Sequence, residues 1–157
     1  MLDLWKMDAQ VSTVNSEICD HDVVKERITV QKHGIRQALF WNAISFGRCF
    51  AYSVYDGCEV VHRSYVIHKC YKFAFMKSDD IEIGPCYTGE KWRGKNIYPF
   101  VLLKIIRNER KDGADVYMII DRENIASQSG VKKVGFRRAA CLKRTKVLRS
   151  YHTVKEK

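Results

Sequence analysis

"GEKWRGKNIYPFVLLKII", residues 89–106, places Lys91, Trp92, Arg93, Gly94 and Lys95 directly ahead of an apolar run. Pro99 suits the first turn of a helix, where a missing N–H has no partner to lose. Beyond it, Val101, Leu102, Ile105 and Ile106 form a wide apolar face. Lys104, Arg107, Asn108 and Lys111 share one polar stripe at helical spacing. The pattern predicts a helix buried on most sides and ended by Asp112-Gly113. A helix mouth carries unpaired N–H groups and partial positive charge. A loop with Arg93, Gly94 and Lys95 at such a mouth reads either as an ordinary turn or as an anion cradle. It is neither the phosphate loop of nucleotide hydrolases nor the dinucleotide fingerprint, and no Ser or Thr follows Gly94-Lys95.

Outward from this stretch the order of elements takes shape. "DIEIGPCYT", residues 80–88, reads as a strand interrupted at Gly84-Pro85. "VYMII", residues 116–120, is a continuous apolar run, the mark of a strand covered on both faces. Strand, helix, buried strand make a crossover and so a parallel pair. A second helix is predicted from an Asn124 cap to Gly135, with "FRRAACLKR" and "KVLRSYHT" as closing strands. Upstream, "IRQALFWNAISF", residues 35–46, has near-helical apolar spacing. "RCFAYSVYDGCEVVHRSYVIHKC" reads as a hairpin about Asp56-Gly57. "KCYKFAFMK", residues 69–77, alternates basic and aromatic residues, as in a half-buried strand with lysines outward or a nucleic-acid platform. Residues 1–27 are poorly defined, with "QVSTVNSEI" a weak strand candidate. The fold class is mixed α+β: a mostly antiparallel sheet with one parallel βαβ crossover, flanked by helices.

The 157 residues, 46% of them hydrophobic, suit one domain with a real core. The start "MLDLWKMDAQ" lacks a signal-peptide pattern, and no apolar run reaches membrane-spanning length. Six scattered cysteines without a Cys-x-x-Cys spacing disfavour structural zinc and are expected to be reduced, cytoplasmic thiols. The net charge of +10 implies an anionic partner. No metal and no membrane partner is expected.

"EKWRGKNIYPFVLL" and, downstream, "NIASQSGVKKVGF" together resemble the two motifs of the GNAT (Gcn5-related N-acetyltransferase) superfamily over residues 80–142. The resemblance implies a GNAT-like sheet and acetyl-CoA as acyl-donor cosubstrate. It puts the diphosphate on the backbone N–H groups of Arg93, Gly94, Lys95, Asn96, Ile97 and Tyr98. The pantetheine arm would run beside Cys86, Tyr87 and Thr88, and Asn124 would contact that arm. Four positions depart from the family pattern. Asn96 and Tyr98 stand where small residues are usual, Gly130 where a larger apolar one is common, and Val131 where many members carry the tyrosine that protonates the leaving thiolate.

Acyl transfer to an amine needs a base for the protonated nucleophile. Glu82 is the first candidate, because carboxylates on this strand often serve in the family. His68, on the strand expected beside it, is the second. Asp121 and Glu123 could reach an acceptor or simply cap. Cys86 could act as a nucleophile or be an inert buried thiol. The leading reading is an N-acetyltransferase acting on a small primary amine. The loop also resembles members of surface-polysaccharide biosynthesis, which points to an amino sugar. The alternatives are a non-catalytic CoA-binding or interaction module, and a basic nucleic-acid binder. The oligomeric state stays open, with a homodimer among the possibilities.

Overall fold

The computed structural model describes residues 1–8, 22–145 and 150–154. The strand candidate at residues 10–18, Cys19 and the first half of "KVLRSYHT" lie outside the described residues.

Among the described residues, eight strands form one sheet in the order β2-β3-β4-β5-β6-β1-β7-β8. They are β1 (Leu2–Met7), β2 (Val23–Arg27), β3 (Cys49–Asp56), β4 (Glu59–His68), β5 (Ile81–Thr88), β6 (Val116–Asp121), β7 (Phe136–Arg144) and β8 (Tyr151–Val154). Four α-helices among the described residues flank it: α1 (Val30–His33), α2 (Ile35–Ser45), α3 (Ile97–Glu109) and α4 (Ile125–Lys133). All strand pairs are antiparallel except β5 with β6, joined through α3. The expected fold class and crossover are therefore what the chain adopts. The N-terminal β1 lies in the middle of the sheet, between β6 and β7.

Each face of the sheet carries its own core. On one face α3 buries Val101, Leu102, Leu103, Ile105 and Ile106 against Val66, Ile81, Ile83, Val116, Met118 and Ile120, with Val131 of α4 and Val134 just after it beside them. Alternation sends Leu4, Ala51, Tyr65, Ile67 and Tyr117 to the other face, under Ala38 and Trp41 of α2. Burying Leu102 alone is worth about 2–5 kcal/mol by the cost of its truncation.

Two local expectations are corrected, at the β3–β4 turn and at residues 69–77. The hairpin turn is Gly57-Cys58, since Asp56 already pairs with Glu59; Gly57 at φ +58° takes the left-handed position. In α2 only one narrow side packs: Trp41 stacks on Tyr65 at 5.7 Å between ring centroids, while Ile35, Leu39 and Phe46 are exposed. Residues 69–77 are a series of turns rather than a strand. Lys72 there points inward, its Nζ 4.5 Å from the Phe40 ring centroid, while Tyr71 faces out.

Candidate active site

The parallel pair β5–β6 is short. Its register covers Ile81 with Val116 and Glu82 with Tyr117, and then the strands part. Beyond Glu82, β5 keeps β4 as its neighbour on one side, with Ser64 opposite Cys86, Arg63 opposite Tyr87 and His62 opposite Thr88. The other side of β5 is an open strand edge, free to accept an extended ligand by main-chain hydrogen bonds. The register slips between Ser64 and Val66, where Gly84-Pro85 makes a bulge in β5 opposite the single residue Tyr65. Gly84-Pro85 is a cis peptide bond.

A cavity of about 560 Å³ opens along that edge. Its floor and one wall are Cys86, Tyr87 and Thr88, and its far wall is α4 with Asn124, Ser127 and Gly130. Its head is the loop that leads into α3, with Arg93, Gly94, Asn96, Ile97 and Tyr98. The structure thus gathers every residue that the resemblance assigned to the cofactor except Lys95, whose Nζ instead lies 5.0 Å from the Trp92 ring centroid.

The head of the cavity has the conformation of an anion cradle. Gly94 and Asn96 are left-handed, at φ +82° and +57°. Asn is the non-glycine residue that adopts this region most readily. α3 begins without a side-chain cap. The Asn96 carboxamide is turned aside, accepting a hydrogen bond from Lys133 Nζ at 2.7 Å. The first N–H groups of the helix therefore have no side-chain cap, at the positive end of the helix dipole and among residues that line the cavity. At the α4 wall, Asn124 accepts from the Ser127 N–H at 3.0 Å, the capping role its position predicts, and keeps its amide NH₂ as a donor.

The two candidate bases separate. His68, at the end of β4, pairs with Ile81 and feels the charges of Glu109 and Lys111 at the C-terminal end of α3 and of Arg48 just ahead of β3. The structure does not bring it to the cavity, which lies at the other end of β4. Glu82 lies on the α2 face of β5, at the point where β5 and β6 part. It is 4% exposed, and burial pushes its carboxyl up to about 8, against the moderating charge of Lys72. The Ile119 N–H of β6, just past the last β5–β6 pair, donates to this carboxylate. Its Oε1 occupies space left by the missing side chain of Gly84: a Cβ there would stand 2.8 Å away. Glu82 is a buried, weakly acidic carboxyl in the cleft between two diverging strands.

On the α3 face the cavity floor is backed by a polar chain that the sequence did not announce. His62, fully buried, has Nδ1 2.8 Å from Thr88 Oγ1 and Nε2 2.8 Å from Ser64 Oγ. Beyond Ser64 the row continues with the Cys86 thiol and the Tyr98 hydroxyl, each near enough to its neighbour to influence its ionisation. Burial lowers His62 to about 3, so the ring is neutral, one nitrogen donating and the other accepting. Burial also pushes the Cys86 thiol up to about 12, which leaves it protonated and unsuited to nucleophilic attack. Asp121 accepts from the Glu123 N–H at 3.0 Å, a capping role.

His62 gives a stability prediction. Its folded pKa lies below the unfolded one, so its contribution is complete above about 6.5 and is lost as pH falls towards 3. His62→Gln should remove up to ~1.4 kcal/mol per pH unit from the acid-side slope. Urea unfolding of both proteins from pH 7 to pH 5 measures this difference, and equal slopes would mean that His62 takes up its proton without unfolding.

Among the described residues no helix is long and apolar enough to cross a membrane. No family model matches the sequence, and no curated protein matches it. Solved structures do. An acetyltransferase of the GNAT family from Colwellia psychrerythraea superposes with a TM-score of 0.64 at 10% identity, over 88% of this chain and 52% of that one. A GNAT-family protein from Novosphingobium aromaticivorans, described as an acetyltransferase, superposes with a TM-score of 0.58 at 13% identity, over 88% of this chain and 59% of that one. The chain therefore spans between half and three fifths of the length of these neighbours. At such identities the likeness is one of architecture, and it follows from that architecture that this chain has the GNAT fold.

Proposed function

We propose that this protein is an N-acetyltransferase that moves an acetyl group from acetyl-CoA to a small primary amine. The observation that carries the reading is the juxtaposition at the β5–β6 split. An uncapped helix mouth with two left-handed residues opens onto an unpaired strand edge, and a buried carboxyl sits where the strands diverge.

Each residue has a part in this reading. The N–H groups at the start of α3 hold the diphosphate, while Arg93 and Lys133 supply positive charge at the cavity rim. The open edge of β5 at Cys86–Thr88 binds the pantetheine arm like an added strand, and the free amide of Asn124 steadies it. A backbone N–H near Tyr87 polarises the thioester carbonyl. Glu82, reached from the α2 face, accepts the proton of the attacking amine. Its raised pKa suits a base that works near neutral pH.

An assay of free thiol release from acetyl-CoA over a panel of primary amines, with amino sugars among them, tests this. Amine-dependent release is expected, rising with pH towards about 8 as Glu82 ionises. An amino sugar as best acceptor would support the class suggested by the loop resemblance. Tight acetyl-CoA binding without release on any amine would favour the non-catalytic module.

A further inference from the structure

We propose that Tyr98 is the proton donor to the departing CoA thiolate. This rests on the acetyl-CoA reading above.

The phenol is held in an unusual setting. A buried tyrosine normally finds an oxygen or nitrogen partner for its hydroxyl. Among the described residues the Tyr98 hydroxyl has one hydrogen-bond contact, to a sulfur atom, Met118 Sδ at 3.9 Å, and the group beside it is another sulfur, the Cys86 thiol. Sulfur is a weak acceptor, so this O–H is poorly satisfied. Tyr98 and Cys86 both line the cavity, beside the strand edge where β5 and β6 part. A sulfur atom brought there by a ligand would meet a donor with little to give up.

Gly130 fixes the ring in that position. A Cβ on Gly130 would stand 2.6 Å and 2.7 Å from Cδ1 and Cε1 of the Tyr98 ring. The ring of an α3 residue therefore lies flush on the backbone of α4, and any side chain at 130 would push it away. The two departures from the family pattern, a large residue at 98 and none at 130, are one arrangement. Val131, fully buried in the core, offers no proton from α4.

The phenol also stands at the head of a row of groups with exchangeable protons: the Cys86 thiol beside it, then Ser64, His62 and Thr88, the last three joined by 2.8 Å hydrogen bonds and Thr88 again on the cavity wall. His62 packs against the Tyr98 ring at 5.8 Å between centroids, keeping both ends of the chain together. Burial holds the phenol well above its ordinary pKa, so it carries its proton at neutral pH.

The step balances. The amine nitrogen bonds to the carbonyl carbon and loses a proton to Glu82. The carbon–sulfur bond breaks with its electron pair on sulfur. Sulfur takes the Tyr98 proton, and the phenolate regains one through the chain that ends at Thr88. The products are the N-acetyl amine and CoA with a free thiol.

The test compares CoA with desulfo-CoA, in which hydrogen replaces the thiol, by titration calorimetry on wild type and Tyr98→Phe. This comparison needs no acceptor. Wild type should prefer CoA by about threefold or more, the worth of one hydrogen bond, and Tyr98→Phe should bind the two alike. The phenylalanine ring still fills the space over Gly130, so the fold is kept. Gly130→Ala, which keeps the hydroxyl but displaces the ring, should lose the preference too. With any amine turned over, Tyr98→Phe should lower kcat by ~10²-fold or more at unchanged affinity for acetyl-CoA. A preference for CoA that survives in Tyr98→Phe, or kcat unchanged in that variant, overturns the role of Tyr98 and leaves the transferase reading standing. Failure of wild type to bind either nucleotide overturns both.

Discussion

Glu82→Gln is expected to lower acetyl transfer by ~10²- to 10⁴-fold while acetyl-CoA affinity stays within about twofold. The substitution is close to isosteric, and the glutamine carbonyl can still accept the Ile119 N–H, so the cleft keeps its shape. What disappears is a group able to take a proton. Stability should move the other way. The folded pKa of Glu82, about 8, lies above the unfolded value of 4.5. The native state therefore binds more protons than the unfolded state between these values, and stability falls as pH rises through that window. Above pH 8 wild type keeps a buried carboxylate that the variant lacks. Glu82→Gln should be the more stable protein there, by on the order of a few kcal/mol. Denaturant unfolding at pH 6 and pH 9 beside a rate assay decides it. A variant that is inactive but no more stable at pH 9 would mean that the carboxyl is not buried in solution. A variant that is fully active would remove Glu82 from the chemistry.

Gly94→Val should damage both stability and ligand binding. Gly94 sits at φ +82°, and a Cβ there would meet no atom within 4 Å. The cost is therefore backbone strain rather than collision. A β-branched residue at positive φ loses at least ~1–2 kcal/mol, or some 2–8 °C in melting temperature for a chain of this size. Relaxing that strain turns the N–H groups of the cradle away from the cavity. Affinity for acetyl-CoA should fall roughly tenfold or more, that is ~1.4 kcal/mol or more. Gly94→Asn is the control: Asn tolerates the left-handed region, as Asn96 does two residues later at φ +57°. It should retain most of the stability and more of the affinity than valine. Equal losses for Val and Asn would show that space at the loop, not its conformation, governs binding.

The parts of this fold that local sequence discloses are those made by neighbouring residues. The crossover is one. The apolar face of α3 and the continuous run of β6 are legible locally, and both elements form, although α3 ends at Glu109, ahead of the expected stop at Asp112-Gly113. Asn124 as a cap and Asn96 as a left-handed residue are also local matters, settled by side-chain chemistry over three or four positions. The cavity followed because its two walls are consecutive motifs on either side of one buried strand.

What stayed hidden depends on register and on distant pairing. β1 pairs with β6 and β7, more than 100 residues away, and "LDLWKM" has little alternation of its own. His62 becomes a partner of Thr88 and Ser64 only through the β4–β5 register and its bulge. The same register sends His68 to the opposite end of the strand. Residues 69–77 alternate like a strand, but the Lys72 carbonyl bonds the Tyr151 N–H and folds the segment into turns. Gly130 shows its meaning only when the Tyr98 ring, 32 positions earlier, is seen lying on it.

The central claim is that the α3 mouth and the open edge of β5 form a site for acetyl-CoA in particular. Melting the protein with saturating acetyl-CoA, with ATP as a polyanion control, tests it most directly. At 100 times Kd the ligand adds about 2.7 kcal/mol, a rise of roughly 5–10 °C for a domain of this size. The account predicts that rise with acetyl-CoA and none with ATP. Equal shifts with both would reduce the cradle to a general anion patch on a basic protein, and no shift with either would contradict the account.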